Sequence, residues 1–187
     1  MAVTTLDPKT ALIVIDLQNG ILALPTAHPT DEIVKQSIVL LDAFRARKLP
    51  VVLVNVAGGA PGRTEQARHS GAVPAGWTDL VPQPNPQPED HLVTKHTWGA
   101  FVGTGLEQHL KGLGVTQVVI VGVATSIGVE STARQAYELG FNVTLATDAM
   151  TDLNADTHHN AVTRIFPRLG ETGTAGEIVA LLGKTGA

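Results

Sequence analysis

The sequence predicts a three-layer α/β/α protein built on a doubly wound, mostly parallel sheet of six strands. Runs of aliphatic and β-branched residues at 11–15, 51–54 and 118–121 show no polar alternation, as strands covered on both faces require. Segments with apolar residues at helical spacing separate them, so strand and helix alternate along the chain. At 187 residues, 43% of them hydrophobic, the chain suits a single domain with one continuous core.

The first expected strand, 11–16, ends in Asp16, and Leu17-Gln18-Asn19-Gly20 leaves it. Thr30 or Asp31 is then placed to cap a helix running to about Lys48, with Ile33, Val34, Ile38, Leu40, Leu41 and Phe44 as its apolar stripe. Leu49-Pro50 should end it, because proline disfavours helix in the residue before it. Residues 51–56 form the second strand, and strand, helix and strand make a right-handed βαβ unit. Residues 57–90 hold six prolines (Pro61, Pro74, Pro82, Pro84, Pro86 and Pro88) and read as a stiff, lid-like loop.

A third strand at 91–95 ends in Lys95, and a helix at 105–113 should carry Leu106, Leu110 and Leu113 on one face. The central strand follows, then a turn, and a helix to Leu139 capped by Gly140. A strand at 141–148 is expected to end in Asp148. A helix at 155–166, an edge strand at 169–172 and a closing helix at 175–182 complete the order.

The 13 basic and 17 acidic side chains give a net charge of −4 without a basic run, so nucleic acid is not an expected partner. The absence of cysteine excludes disulfides, thiolate metal sites and a cysteine nucleophile. The first eight residues have neither the basic nor the apolar region of a secretion signal. No apolar run reaches the roughly 18 residues of a membrane span, so a soluble cytoplasmic protein without membrane contact is expected.

Ligands of parallel sheets bind beyond the carboxyl ends of the strands, which draws attention to Asp16, Lys95 and Asp148. Either acid could simply cap the following turn or helix. Lys95, next to Trp98 and Phe101, either extends to solvent or pairs with a carboxylate; paired with Asp16 it would make a poised acid/base couple. The turn from Val123 to Gly128 opens a helix, where free N–H groups favour an oxyanion or carboxylate.

Asp16 within Val14-Ile15-Asp16-Leu17-Gln18, Lys95 ahead of Trp98-Gly99-Ala100-Phe101, and the stretch from Gly122 to Arg134 resemble the three signature segments of the isochorismatase-like hydrolase superfamily, a Rossmann-like cysteine hydrolase fold. The resemblance covers nearly the whole chain and is closest to the cysteine-free YecD-like branch. It implies a small-molecule substrate, no cofactor, and a homo-oligomer, dimer or tetramer. Most members are amidases with an Asp-Lys-Cys triad. Asp16 and Lys95 match the first two members, and the cysteine position falls on Gly128. The resemblance also implies a non-proline cis peptide joining Val123 to Ala124, which would aim backbone N–H groups into the pocket as an oxyanion hole. Val123, Ala124, Thr125, Ser126, Ile127, Gln18, Trp98 and Phe101 become the expected substrate-binding residues.

Glycine at position 128 can form no thioester and leaves backbone and space where sulfur would stand. Isochorismatases resemble this pattern in having glycine there. The resemblance then implies vinyl-ether hydrolysis without a covalent step, with Asp16 as general acid and Lys95 as its partner and anchor for a substrate carboxylate. To hold a proton near neutral pH, Asp16 would need burial to raise its pKa against the pull of Lys95. Val56 replaces the glutamine that contacts substrate in isochorismatases, and Val56-Ala57-Gly58-Gly59 lacks the Asp-x-His pattern of metal-binding members, so no metal is expected. His158 and His159, adjacent on a helix, point about 100° apart and cannot chelate together.

Other readings stay open. Ser126, Thr125 or Ser131 could serve an amidase with an unusual nucleophile, although Ser126 suits an N-cap and no family-matched histidine would activate it. Arg63 and Arg68 could bind an anion or be solvated. Trp98 and Phe101 could wall the pocket or pin the loop to the core. The protein could also be a binding protein that kept the pocket and lost turnover with the cysteine.

Overall fold

The computed structural model describes residues 3–65 and 73–184. Among these, strands β1 (Thr10–Ile15), β2 (Val51–Val56), β3 (His91–Lys95), β4 (Gln117–Val123), β5 (Asn142–Thr151) and β6 (Glu171–Gly173) form one sheet in the order β3-β2-β1-β4-β5-β6. Every strand pair is parallel. The order reverses between β1 and β4, and a crevice opens beyond their carboxyl ends at such a switch point.

Each face of the sheet carries its own apolar layer. The helices α2 (Thr30–Ala46) and α6 (Ala175–Leu182) cover one face, where Leu12, Val14, Val119 and Val121 meet Leu40, Leu41, Phe44 and Ile178. The helices α3 (Leu106–Gly112) and α4 (Glu130–Glu138) cover the other, where Ile13, Ile15, Val118 and Ile120 meet Leu106, Leu110, Ala133 and Ala136. Alternate strand residues thus serve opposite layers, and their uniform apolarity follows from having no solvent face. Short helices α1 (Asn19–Leu22) and α5 (Ala155–Asn160) follow β1 and β5.

Local chemistry moves several expected boundaries. Helix α2 begins directly after Pro29 without a side-chain cap, so Thr30 and Asp31 lie inside the first turn, where Asp31 and Glu32 favour the N-terminal dipole. It ends at Ala46 rather than through Leu49-Pro50, because Lys48 adopts a left-handed conformation (φ 54°) and Leu49 N–H bonds the Phe44 carbonyl. Leu113 follows the end of α3 and is 46% exposed, while Leu106 and Leu110 are fully buried.

The largest displacement is in β5. Its register against β4 shifts between Ile120↔Leu145 and Gly122↔Met150, and the strand then continues to Thr151. Asp148 consequently lies inside β5, where Oδ1 accepts the Ala175 N–H at the start of α6. The acid after β5 is Asp152.

Candidate active site

The site is built at the junction of β1 and β4. Gly122 makes their close approach possible: a Cβ there would stand 2.0 Å from the Ile15 carbonyl oxygen, and its φ of 117° disfavours other residues. The next residues are therefore brought against Asp16. A cis peptide joins Val123 to Ala124, and a π-helical turn, Thr125–Val129, leads directly into α4.

Asp16 follows β1 with φ 52° and donates its N–H to the Val54 carbonyl at 2.9 Å. Its side chain meets Lys95, which reaches in from the end of β3, two strands away. Neighbouring strands lie about 4.8 Å apart, so the two side chains together close a gap of about 10 Å. Lys95 Nζ donates to Asp16 Oδ2 at 2.7 Å and to the Thr97 carbonyl at 3.3 Å. The residues are only 4% and 2% exposed. Of the two arrangements open to Lys95, the structure has the ion pair.

Burial disfavours the charged carboxylate and pushes the Asp16 pKa up to about 6, while the charge and hydrogen bond of Lys95 oppose the rise. Asp16 Oδ1 is buried without a hydrogen-bond partner among the described residues. A proton on that oxygen would neutralise the buried carboxylate and turn the unpartnered acceptor into a donor.

Gly128 faces this carboxyl closely. A Cβ on it would lie 3.3 Å from Asp16 Oδ2 and 2.9 Å from Ile15 Cγ2. The position is therefore already tight at the β-carbon, against Ile15 and the carboxyl group itself.

Thr132, in the first turn of α4, ties the Gly128 turn to the loop from Trp98 to Phe101. Its hydroxyl donates to the Gly128 carbonyl at 2.7 Å and accepts the Ala100 N–H at 3.1 Å. Gln135 Oε1 accepts the Phe101 N–H at 3.0 Å. Phe101 is buried with its ring 5.9 Å from that of Phe141, which pins the loop to the core. Trp98 is 62% exposed and stands outside the closed part of the site.

Gln18 is fully buried and its amide is committed to backbone. It donates to the Val56 and Trp77 carbonyls and accepts the Val56 N–H. Its direct bonds therefore brace the end of β2 and the loop carrying Trp77, rather than addressing a ligand.

The N–H groups at the turn are also partly committed. Ser126 does not cap with its side chain; its N–H donates to Asp152 Oδ2 at 2.6 Å. Thr125 is buried with its hydroxyl 2.9 Å from His158 Nδ1. Ala124 accepts the Ile127 and Val129 N–H groups through its carbonyl. His158 thus belongs to the surroundings of the turn, while Asp152 supplies a carboxylate at the helix start where the sequence suggested an incoming anion. The motif segments contained no sign of Asp152; the available signal was a second acid four residues after Asp148, at the end of the same apolar run.

Arg63 is exposed, and Arg68 lies outside the described residues. Among the described residues no group of three or more histidine, cysteine, aspartate or glutamate side chains is placed to hold a metal. A groove of about 480 Å³ along α2, lined by Leu22, Val34, Ile38, Val39 and Val81, includes none of the residues around Asp16.

Comparison with known proteins matches residues 10–177 to the Isochorismatase domain. The chain belongs to the isochorismatase family. Among its relatives, the isochorismatase family protein YwoC of Bacillus subtilis is 40% identical over 91% of this chain and 93% of its own length. The family protein YecD of Escherichia coli O157:H7 is 38% identical over 92% and 96%. A solved isochorismatase family structure from Burkholderia thailandensis superposes with a TM-score of 0.91, 42% identity and coverage of 96% and 98%. The six-stranded α/β sheet is accordingly an isochorismatase fold, and the chain is an isochorismatase-family hydrolase without cysteine.

Proposed function

We propose that this hydrolase cleaves a small, anionic vinyl ether of the isochorismate type without a covalent enzyme intermediate. Asp16 donates its proton to the vinyl carbon, giving an oxocarbenium ion. Water adds to that ion and returns one proton to Asp16. Collapse of the hemiketal then releases pyruvate and the alcohol, so the cycle consumes one water and leaves the enzyme unchanged. Lys95 holds the carboxyl in place and, once Asp16 is neutral, presents an uncompensated positive charge to a substrate carboxylate.

The observation supporting this reading is the Asp16 carboxyl itself: buried, raised to about 6, with one oxygen unpartnered and glycine opposite it. Backbone from Val123 to Ile127 forms the adjoining wall, with Trp98 at the entrance. Residues 57–65 and 73–90 serve as the cover, where Asn19 and Gly20 donate to the Asp79 and Trp77 carbonyls. On the family resemblance, we read the chain as one domain acting as a cytoplasmic dimer or tetramer, requiring no metal or cofactor. Light scattering tests the assembly. The net charge of −4 supports a small-molecule rather than a nucleic-acid partner.

The deciding experiment follows pyruvate release from isochorismate by the wild-type protein and by Asp16→Asn. Wild-type turnover with a loss of about 10² to 10⁴ in the variant is expected. No turnover would favour a binding protein, whereas turnover unchanged by Asp16→Asn would remove the acid from the mechanism. An acyl adduct on Ser126 or Ser131 after incubation with amide substrates would instead establish a serine amidase.

A further inference from the structure

Two chain segments hold the turn one residue beyond the cis peptide, and a third braces those two. From the end of β5, Asp152 Oδ2 accepts the Ser126 N–H at 2.6 Å, while Oδ1 accepts Leu153 N–H at 2.7 Å and Asn154 N–H at 3.4 Å. From α5, His158 Nδ1 meets the Thr125 hydroxyl at 2.9 Å. From the segment before α2, Ala27 N–H bonds the Asp152 carbonyl at 2.7 Å. His28 contacts Thr151 Oγ1 through both its N–H and Nδ1, and its ring lies edge-on to His158 at 4.7 Å.

Consecutive residues Thr125 and Ser126 are thus held by different groups, one through its side chain and the other through its backbone. Asp152 is 2% exposed and Thr125 fully buried, so water cannot readily replace either contact. The Asp152 carboxylate also lies at the N-terminal end of the continuous helical run 125–138, where negative charge is favoured. Thr132 fixes the following part of the turn through the Gly128 carbonyl.

We propose that Asp152 and His158 are positioning residues that set the placement of the 124–128 turn relative to Asp16. This inference rests on the proposed vinyl-ether reading, in which that turn and Asp16 face the same substrate. A misplacement of about 1 Å can cost about 10²-fold in rate, which makes such anchoring relevant to turnover as well as folding.

The test combines isochorismate kinetics with backbone amide NMR on wild-type protein, Asp152→Ala, Asp152→Asn and Thr125→Val. Thr125→Val removes the contact to His158 at nearly constant volume and guards against a poorly folded Asp152→Ala. Expected are a 10- to 100-fold fall in kcat with little change in KM for Asp152→Ala and Thr125→Val. Asp152→Asn keeps one acceptor for Ser126 N–H but turns an NH2 towards Leu153 N–H, and should recover part of that loss. The Gly128 and Asp16 amide resonances should move in the two impaired variants. Wild-type kcat in folded variants, or Gly128 and Asp16 resonances unchanged from wild type, would overturn the positioning role. If wild-type protein does not turn over isochorismate, the vinyl-ether reading fails, while the resonances alone still decide whether these anchors place the turn.

Discussion

Gly128 packs against Asp16 so closely that even a single carbon added to the glycine would stand 3.3 Å from Oδ2, with Ile15 Cγ2 nearer still at 2.9 Å. Ile15 Cγ2 is attached directly to a branched carbon in the core and has little freedom to retreat. Gly128→Ala should therefore destabilise the protein by about 1–3 kcal/mol and displace the acid. Thermal unfolding and the Asp16→Asn-sensitive rate check this together. Gly128→Cys should gain no nicotinamidase activity without a second change that moves Ile15; appearance of that activity from the single substitution would show the turn to be more adaptable.

The Asp16 pKa predicts the high-pH limb of activity. A general acid works in its protonated form, so kcat/KM on isochorismate should fall about tenfold per pH unit above about 6, where Asp16 ionises. Replacing Lys95 with methionine removes the group that opposes the rise and should move this limb to higher pH. Because the folded-state value lies above the ordinary carboxylate range, the proton on Asp16 also contributes stability at low pH that is lost as pH rises through about 6. Rate profiles and carboxyl-carbon NMR titrations provide independent measurements.

Gly20 allows Trp77 to lie against α1; a Cβ there would come within 2.0 Å of the indole nitrogen. Gly20→Ala is expected to expel the ring and loosen the contacts that Gly20 N–H and Gln18 make to the Trp77 carbonyl. In a Trp98→Phe background, the remaining tryptophan fluorescence should shift to the red, with a stability loss of about 1–3 kcal/mol.

A separate acid-sensitive contact lies between β3 and α3, where the imidazoles of His91 and His109 stack at 3.7 Å and 9°. Burial, followed by the charge of His109, holds the His91 pKa below its ordinary value. For a base with a lowered folded-state pKa, the stabilising effect is present above about 6.5 and is lost as pH falls below it. Asp16 acts in the opposite direction, so the relevant measurement is the difference between wild type and His109→Gln. The variant should lose less stability between pH 7.5 and 5.

Much of the architecture was legible because β1, β2 and β4 each carry an uninterrupted apolar run, at 11–15, 51–54 and 118–121. Asp16, Lys95 and Gly128 stood in recognisable segments, and the fold brings them together. The register shift in β5 was not legible: periodicity placed the strand's end at Asp148 and passed over Asp152. The role of Gln18 was equally hidden, since its amide partners are carbonyl and N–H groups of segments distant in sequence. Such contacts depend on tertiary placement and leave no local spacing signal.

The left-handed backbone of Asp16, φ 52°, has an evolutionary consequence. Among residues with a β-carbon, asparagine and aspartate tolerate this conformation best, so asparagine satisfies the backbone while abolishing proton donation. A single-step change there could silence the chemistry and preserve the chain path. Homologues carrying asparagine at this position would be expected to retain the architecture as non-catalytic descendants, whereas alanine or valine would burden the turn itself.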